Sequence, residues 1–207
     1  MDEKTLHILE HVRRLYHRYG IKSVTMDDVA THLCISKKTL YEYFTDKEAL
    51  VRNIVLLDNS NRNKFFQEIK DKKLNAIEEL FEVYRMINTM FRDYNASMSY
   101  DIHKYYPDLF SKVKEIRRKK IFDTIYGNLN KGKKEGLYRK ELNSKIIARL
   151  ILFRVEYMFD NDIFTMEELA SVKVFNEVFV YHMQGIVSAK GRILFEKNFS
   201  RLKADLI

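Results

Sequence analysis

Apolar residues recur at helical spacing along almost the whole chain. Between residues 5 and 19 they fall three or four positions apart, at Ile8, Leu9, Val12, Leu15, Tyr16 and Tyr19. This spacing places them on one face of an α-helix. Comparable stripes cover residues 50–57, 74–94, 109–129, 146–158 and 169–187, with shorter ones at 98–105 and 192–206. The pattern predicts an all-α protein.

Capping residues and helix breakers set the predicted helix boundaries. Gly20 is placed to end the first helix, and Pro107 to begin a later one that Gly132 and Gly136 end. Either Thr45 or Asp46 caps a fourth helix.

The most C-terminal of the long predicted helices spans residues 166–188. Thr165 and Glu168 are spaced as a capping box, which marks its start.

Residues 25–47 follow a different pattern, that of two short helices joined by a tight turn. Thr25 is a good N-cap for the first helix and Ser36 for the second. Small and apolar side chains share the inward face of the first helix, at Val29, Ala30 and Leu33. The second helix turns apolar residues toward them, at Ile35, Leu40, Tyr43 and Phe44.

The outer face of this second helix is polar, basic and aromatic, with Lys37, Lys38, Thr39, Tyr41 and Glu42. Hydroxyls and ammonium groups bind base edges and phosphates, and a helix N-terminus attracts phosphate. The stretch therefore favours a helix that reads the major groove of DNA. The alternative interpretation is an ordinary amphipathic hairpin with a solvated face.

Several residues of this stretch, in order, match a known signature: Thr25, Val29, Ala30, Ile35, Ser36, Thr39, Leu40, Tyr41, Tyr43, Phe44, Lys47, Glu48 and Leu50. The stretch resembles the DNA-binding signature of TetR-like (tetracycline-repressor-like) transcriptional regulators. Cys34 departs from it, because it stands where the family usually has a turn glycine that often takes positive φ.

The resemblance implies a set of DNA-binding residues: Thr25, Ser36, Lys37, Lys38, Thr39, Tyr41, Tyr43 and Lys47. Lys47 begins the fourth helix, and in the family this position commonly contacts a phosphate. We expect Thr25 and Tyr41 to contact phosphates as well, and Lys37, Lys38 and Thr39 to lie nearer the bases.

The expected architecture is a three-helix helix-turn-helix head at residues 1–50 and a helical ligand-binding and dimerisation body at 51–207. The helices of residues 143–160 and 166–188 are apolar on more than one side. Such helices bury more than one side, which predicts a four-helix bundle between two copies of the chain. The family usually forms dimers in this way.

Composition narrows the class of protein. The 207 residues include one Pro, one Cys and six Gly, as in a helix-rich protein without a disulfide framework. The residues after Met1 are charged and do not resemble a secretory signal, and no run of about 18 apolar residues could span a membrane. We therefore expect a cytoplasmic protein. The net charge of +8 supports DNA binding only weakly, since much of the excess lies at residues 112–120 and 131–140.

Motifs for catalysis, cofactors and metals were not found in the sequence. There is no Walker loop or H-E-x-x-H string, and the six histidines lack metal-ligand spacing. Asp101 and His103 stand two residues apart, on different sides of a helix. We therefore expect no enzymatic activity, no cofactor and no metal.

The predicted body is rich in residues that can line an apolar ligand pocket: Phe81, Tyr84, Met90, Phe91, Met98, His103, Phe110, Phe122, Tyr126, Phe153 and Tyr157. For any one of them, simple core packing is the alternative. The hypothesis is a homodimeric repressor that binds a palindromic double-stranded operator and is released by a small-molecule effector. The alternative function is a helical small-molecule-binding or scaffold protein that has lost DNA binding.

Overall fold

Helices make up almost all regular structure in the computed structural model, which describes residues 2–92, 96–157, 163–165, 168 and 171–204. In chain order they are α1 Glu3–Tyr19, α2 Met26–His32, α3 Lys37–Tyr43, α4 Lys47–Asp71, α5 Ala76–Arg92, α6 Ala96–Tyr105, α7 Pro107–Lys134, α8 Ser144–Tyr157, α9 Val172–Ile186 and α10 Ala189–Ala204. The described residues contain no strand, only an isolated antiparallel bridge between Tyr138 and Val187. The all-α prediction is confirmed.

Local capping chemistry explains where the N-terminal helices begin and end. The Asp2 carboxylate caps α1, and Gly20 ends it with φ 80°. The Asp46 carboxylate accepts a hydrogen bond of 2.7 Å from the Ala49 amide. Of the two cap candidates for α4, this contact identifies Asp46.

Two predicted boundaries were wrong. Helix α7 continues through Gly132 to Lys134, and Gly136 supplies the turn with φ 71°. Gly132 instead makes room for a neighbour, since a Cβ there would collide with the ring of Tyr138.

The helix predicted over residues 166–188 begins later, at Val172. Ser171 has extended backbone and caps it by accepting a hydrogen bond from the Val174 amide. Thr165 and Glu168 do exchange capping hydrogen bonds of 2.8 and 3.1 Å. Residues 158–160 of the predicted 143–160 helix, and 166–167 and 169–170 here, lie outside the described residues.

The chain forms two compact units. The first comprises Met1–Gln67 and Asn95–Glu115, and the second Glu68–Tyr94 and Ile116–Ile207. The units are defined by how tightly residues pack and not by function. The functional boundary predicted after residue 50 therefore stays a prediction.

The first unit has its core among α1 to α4. Leu9, Val12, Val29, Leu40 and Leu50 are fully buried there. Met98 and Ile102 of α6, Leu109 of α7 and Tyr106 between the two helices join the same cluster. Helix α6 is therefore part of the packing that fixes the N-terminal helices.

The second unit has an aromatic and aliphatic core drawn from α5, α7, α9 and α10. Phe81, Leu129, Met183 and Phe195 are buried in it. No helix in the described ranges has the length and apolarity needed to cross a membrane.

Candidate DNA-binding interface

The N-terminus of α2 is fixed by a reciprocal cap. The Asp28 amide donates to the Thr25 hydroxyl at 3.1 Å, and the Thr25 amide donates to the Asp28 carboxylate at 2.8 Å. These contacts satisfy two donors that a helix start otherwise leaves free. The hydrogen bond from the Thr25 hydroxyl also holds the pKa of Asp28 below its ordinary value. Thr25 thus lies where it was predicted, exposed at a helix start.

Ser36 caps α3 in a similar way. Its hydroxyl accepts from the Thr39 amide at 3.0 Å and lies 2.8 Å from the Thr39 hydroxyl. Leu40 and Phe44 are buried on the inner side of this segment. The cap and the buried side together hold the outer face of α3 in one orientation.

The outer face of α3 presents Lys37, Lys38 and Tyr41 to solvent. The Lys37 ammonium forms an ion pair of 2.7 Å with Asp27 on α2, and that contact raises the pKa of Lys37. Lys38 has no ion-pair partner in the described part of the chain. These are the donor and aromatic groups that contact phosphates and base edges.

Tyr43 is the least accessible of the ring-bearing candidates on α3. It is half-buried against the core of the first unit, where its ring lies 6.5 Å from that of Phe44. Tyr43 therefore supports the helix as well as bordering its exposed face.

Lys47 lies at the start of α4 with its side chain half-buried. Its ammonium donates to the backbone carbonyl of Lys22, in the α1–α2 turn, at 3.3 Å. Burial lowers the pKa of Lys47, against the opposing effect of the Asp101 and Asp28 carboxylates. The ammonium is thus held next to the α2 N-terminus by a neutral acceptor.

The α2–α3 turn has the backbone that the sequence suggested. Cys34 has φ 54°, in the left-handed region, and its side chain is exposed. Its amide donates to the Thr31 carbonyl at 3.1 Å, and the Ile35 amide to the Ala30 carbonyl at 3.0 Å. The helix-turn-helix geometry is kept without a glycine.

The chain matches a family model described as bacterial regulatory proteins, tetR family, over residues 8–54. Those residues include α2, the turn and α3. The N-terminal region of the chain is therefore TetR-like. The match covers the region in which all eight predicted DNA-binding residues lie.

Two further comparisons cover more of the chain. The chain is 24% identical over 161 residues to an uncharacterised HTH-type transcriptional regulator, YvaF of Bacillus subtilis (strain 168), covering 77% of this chain and 82% of that protein. Its fold is similar to that of a transcriptional regulator from Cytophaga hutchinsonii ATCC 33406, with TM-score 0.73, 20% identity, and 90% and 100% of the two chains covered.

A third relative has been solved with ligands. AibR in complex with isovaleryl coenzyme A and operator DNA aligns with TM-score 0.56 and 19% identity, over 83% of this chain and 96% of AibR. At this level of identity the likeness shows the fold.

The predicted pocket residues occupy several places in the chain. Met98 is buried in the first unit, where the exposed His103 ring lies 4.6 Å from that of the half-buried Phe110. Phe81 and Tyr84 are buried in the second unit. The side chains of Met90 and Phe91 lie outside the described residues.

The remaining four candidates form two ring pairs in the second unit. The half-buried Phe122 stacks on the exposed Tyr126 at 5.8 Å, and Phe153 lies 4.6 Å from Tyr157 on the exposed side of α8. Of the nine candidates whose side chains are described, three lie in the first unit and six in the second, and the role of all eleven as ligand contacts stays a prediction.

Sequence reasoning missed the residues that surround Phe81 and Tyr84. The Phe179 ring lies 5.3 Å from that of Phe81 and 4.5 Å from that of Tyr84, and Phe195 stacks on Phe81 at 5.7 Å. The Tyr84 hydroxyl donates to Asn176 on α9. Only the 3.6-residue period of α9 and α10 pointed to these positions, and it does not separate core from ligand contact.

Proposed function

We propose that the protein is a ligand-responsive transcriptional regulator, a repressor that binds a palindromic operator as a homodimer in the cytoplasm. The outer face of α3 supports this most directly. Lys37, Lys38 and Tyr41 are exposed on a helix whose start is capped and whose inner side is buried, within a tetR-family match. Such a helix inserts its N-terminal residues into the major groove.

A second exposed surface supports the homodimer. One side of α8 presents large apolar residues to solvent, Ile146 at 53%, Leu150 at 59%, Phe153 at 61% and Tyr157 at 51%. Contiguous exposed apolar residues of this kind mark interaction sites. A second copy would cover this α8 face by a four-helix bundle with α9. The dimer would place two copies of α3 about 34–36 Å apart, one turn of DNA.

The effector is proposed to be a small molecule bound in the C-terminal helices. AibR, which shares the fold, has been solved with both an acyl coenzyme A and operator DNA. An effector that prefers one conformation by a few kcal/mol is sufficient to shift the protein away from its operator. The proposed activity is regulation of transcription, without catalysis.

The test is fluorescence anisotropy with labelled DNA from the region upstream of the protein's own gene. We expect binding that a scrambled duplex does not reproduce and that weakens steeply with added salt. Equal affinity for both duplexes, or none for either, would contradict the proposal. The second result would favour a helical binding protein that has lost DNA binding.

A further inference from the structure

Helix α6 places one buried carboxylate against the turn between α1 and α2. Asp101 is 6% exposed, and its Oδ2 atom accepts a hydrogen bond of 2.8 Å from the Lys22 amide. The two residues lie 79 positions apart in the chain and in the same compact unit. A buried charge is costly without such a donor, so the contact constrains both the turn and the helix.

The rest of the turn is fitted to α6 as well. Gly20 has φ 80°, and a Cβ at that residue would lie 2.9 Å from the Ser97 hydroxyl and 3.2 Å from the Asp101 carboxylate. The Lys22 ammonium lies 5.1 Å from the centre of the Tyr105 ring. The turn therefore meets α6 through the hydrogen bond from the Lys22 amide to the Asp101 carboxylate, a close approach at Gly20 and a cation–π contact.

The other side of Lys22 leads to the candidate DNA interface. Its carbonyl oxygen accepts from the Lys47 ammonium at 3.3 Å. Three residues further on, Thr25 caps α2. A shift of the turn would therefore move two things at once. These are the Lys22 carbonyl that holds the Lys47 ammonium, and the N-terminus of α2.

We propose that Asp101 is a positioning residue for DNA binding, which acts through the backbone of Lys22 on the phosphate contact of Lys47. The inference rests on the proposed function and deepens it, since it identifies the contact by which α6 controls the interface. Any change that withdraws α6 from the turn would release Lys47 from its bound position.

The test compares Asp101→Ala and Asp101→Asn with matched Asp108→Ala and Asp108→Asn. Asp108 is exposed in the first turn of α7, so each pair removes the same charge close by in sequence. Added positive charge alone strengthens DNA binding. We expect Asp101→Ala instead to weaken operator binding about tenfold, the order of one charged hydrogen bond. Asp101→Asn, which keeps an acceptor oxygen, is expected to lose less.

Two readouts separate positioning from general destabilisation. The slope of log affinity against log salt is expected to fall by about one in Asp101→Ala, as for loss of one phosphate contact. In a double-mutant cycle, Asp101→Ala is expected to add little to Lys47→Ala. Asp101→Asn provides the same two readouts if the alanine variant unfolds.

Two outcomes would overturn the inference, and they distinguish a wrong role for Asp101 from a wrong function for the protein. If wild-type protein binds its operator and the Asp101 variants match the Asp108 variants in affinity and slope, only the positioning role is wrong. If wild-type protein binds no DNA, the proposed function fails and this inference fails with it.

Discussion

Cys34 occupies a backbone conformation that side chains other than glycine resist. At φ 54° its Cβ crowds the neighbouring carbonyl, at a cost of roughly 1–2 kcal/mol for an L-residue. The turn keeps this geometry because backbone hydrogen bonds on both sides of Cys34 require it. The strain is therefore imposed by the joining of α2 to α3.

Replacing Cys34 with Gly is expected to stabilise the protein by up to about 1 kcal/mol, because glycine adopts this conformation without the Cβ clash but has greater entropy when unfolded. Cys34→Ala is the control, since alanine keeps the Cβ. Urea denaturation measures both free energies of unfolding. Identical midpoints for the two variants would contradict a strained turn.

Two buried tyrosines provide a second prediction at this scale. The Tyr16 hydroxyl is buried without a hydrogen-bond partner among the described residues. The Tyr138 hydroxyl lies 3.1 Å from the Ala76 carbonyl and 3.0 Å from Asn128 Oδ1, and donates to either. Removing a hydroxyl without a partner costs nothing, whereas removing the Tyr138 hydroxyl leaves the buried Asn128 Oδ1 without its donor.

We therefore expect Tyr16→Phe to leave the free energy of unfolding unchanged or raise it by up to about 1 kcal/mol, and Tyr138→Phe to lower it by about 1–2 kcal/mol. Chemical denaturation of both variants checks the sign. A loss in Tyr16→Phe as large as that in Tyr138→Phe would mean that Tyr16 has a partner, such as a bound water.

Helix boundaries were predictable from the sequence where residues close by in sequence set them. Thr25 and Ser36 cap α2 and α3 as the sequence indicated, because a hydroxyl three residues before an amide is a local signal. The late start of α9 was not predictable, since Thr165 and Ser171 both carry capping signals. The Asp101–Lys22 contact was not predictable either, because it joins residues 79 positions apart.

At the start of α4, the prediction is that Lys47 contacts a DNA phosphate. Its ammonium lies beside the Lys22 carbonyl, and a phosphate there would gain a charged donor and the amides of a helix start. Lys47→Ala is expected to weaken binding to operator and to unrelated DNA alike, and to lower the salt slope by about one.

The matched control for Lys47 is Lys64→Ala, which removes an exposed lysine from the same helix. Anisotropy titrations over a range of salt concentrations give affinity and slope together. A slope unchanged from wild type in Lys47→Ala, or equally reduced in Lys64→Ala, would remove Lys47 from the interface.

The α8–α9 pair has its own pH dependence. Burial, with the nearby Arg154 guanidinium, lowers the pKa of His182 from 6.5 to about 4. Between these values the unfolded chain binds a proton that the folded chain does not. His182 therefore contributes full stability above about pH 6.5, which is lost progressively as the pH falls toward 4.

The expected loss is at most about 3–4 kcal/mol, since the pKa falls from 6.5 to about 4 and one pKa unit corresponds to about 1.4 kcal/mol. His182→Gln should flatten the dependence of unfolding free energy on pH between 6.5 and 4. Denaturation series across that range measure it. Parallel curves for wild type and His182→Gln would contradict the assignment.

For the whole molecule, the distribution of charge matters more than its total. The net charge is +8, yet a run of basic residues lies within α7 at 117–120, away in sequence from the tetR-family match. We therefore propose that DNA recognition depends on the few donors that α3 and α4 present. The positions of these donors could be predicted because they lie close together in sequence. The surroundings of the pocket candidate Phe81 could not, since Phe81 meets Phe179 and Phe195 only in the folded chain.

For the whole molecule, the prediction concerns dimerisation through the exposed apolar side of α8. Ile146, Leu150, Phe153 and Tyr157 recur every three or four residues and form one exposed apolar side of α8. Leu150→Glu would place a charge in the middle of that side, where a second copy would have to desolvate it. We expect the variant to be monomeric at concentrations where wild type is dimeric, as measured by sedimentation velocity.

The monomeric variant should also bind the operator at least tenfold more weakly than wild type. In a dimer the two copies of α3 are linked, so once one is bound the other is present at a high effective concentration beside the second half-site. A single half-site, which one copy can occupy, should bind wild type and variant about equally. Lys145→Glu is the control, since it introduces a carboxylate on α8 at an exposed position one residue before Ile146, outside the apolar stripe. A Leu150→Glu protein that remains dimeric would show that another surface holds the two copies together.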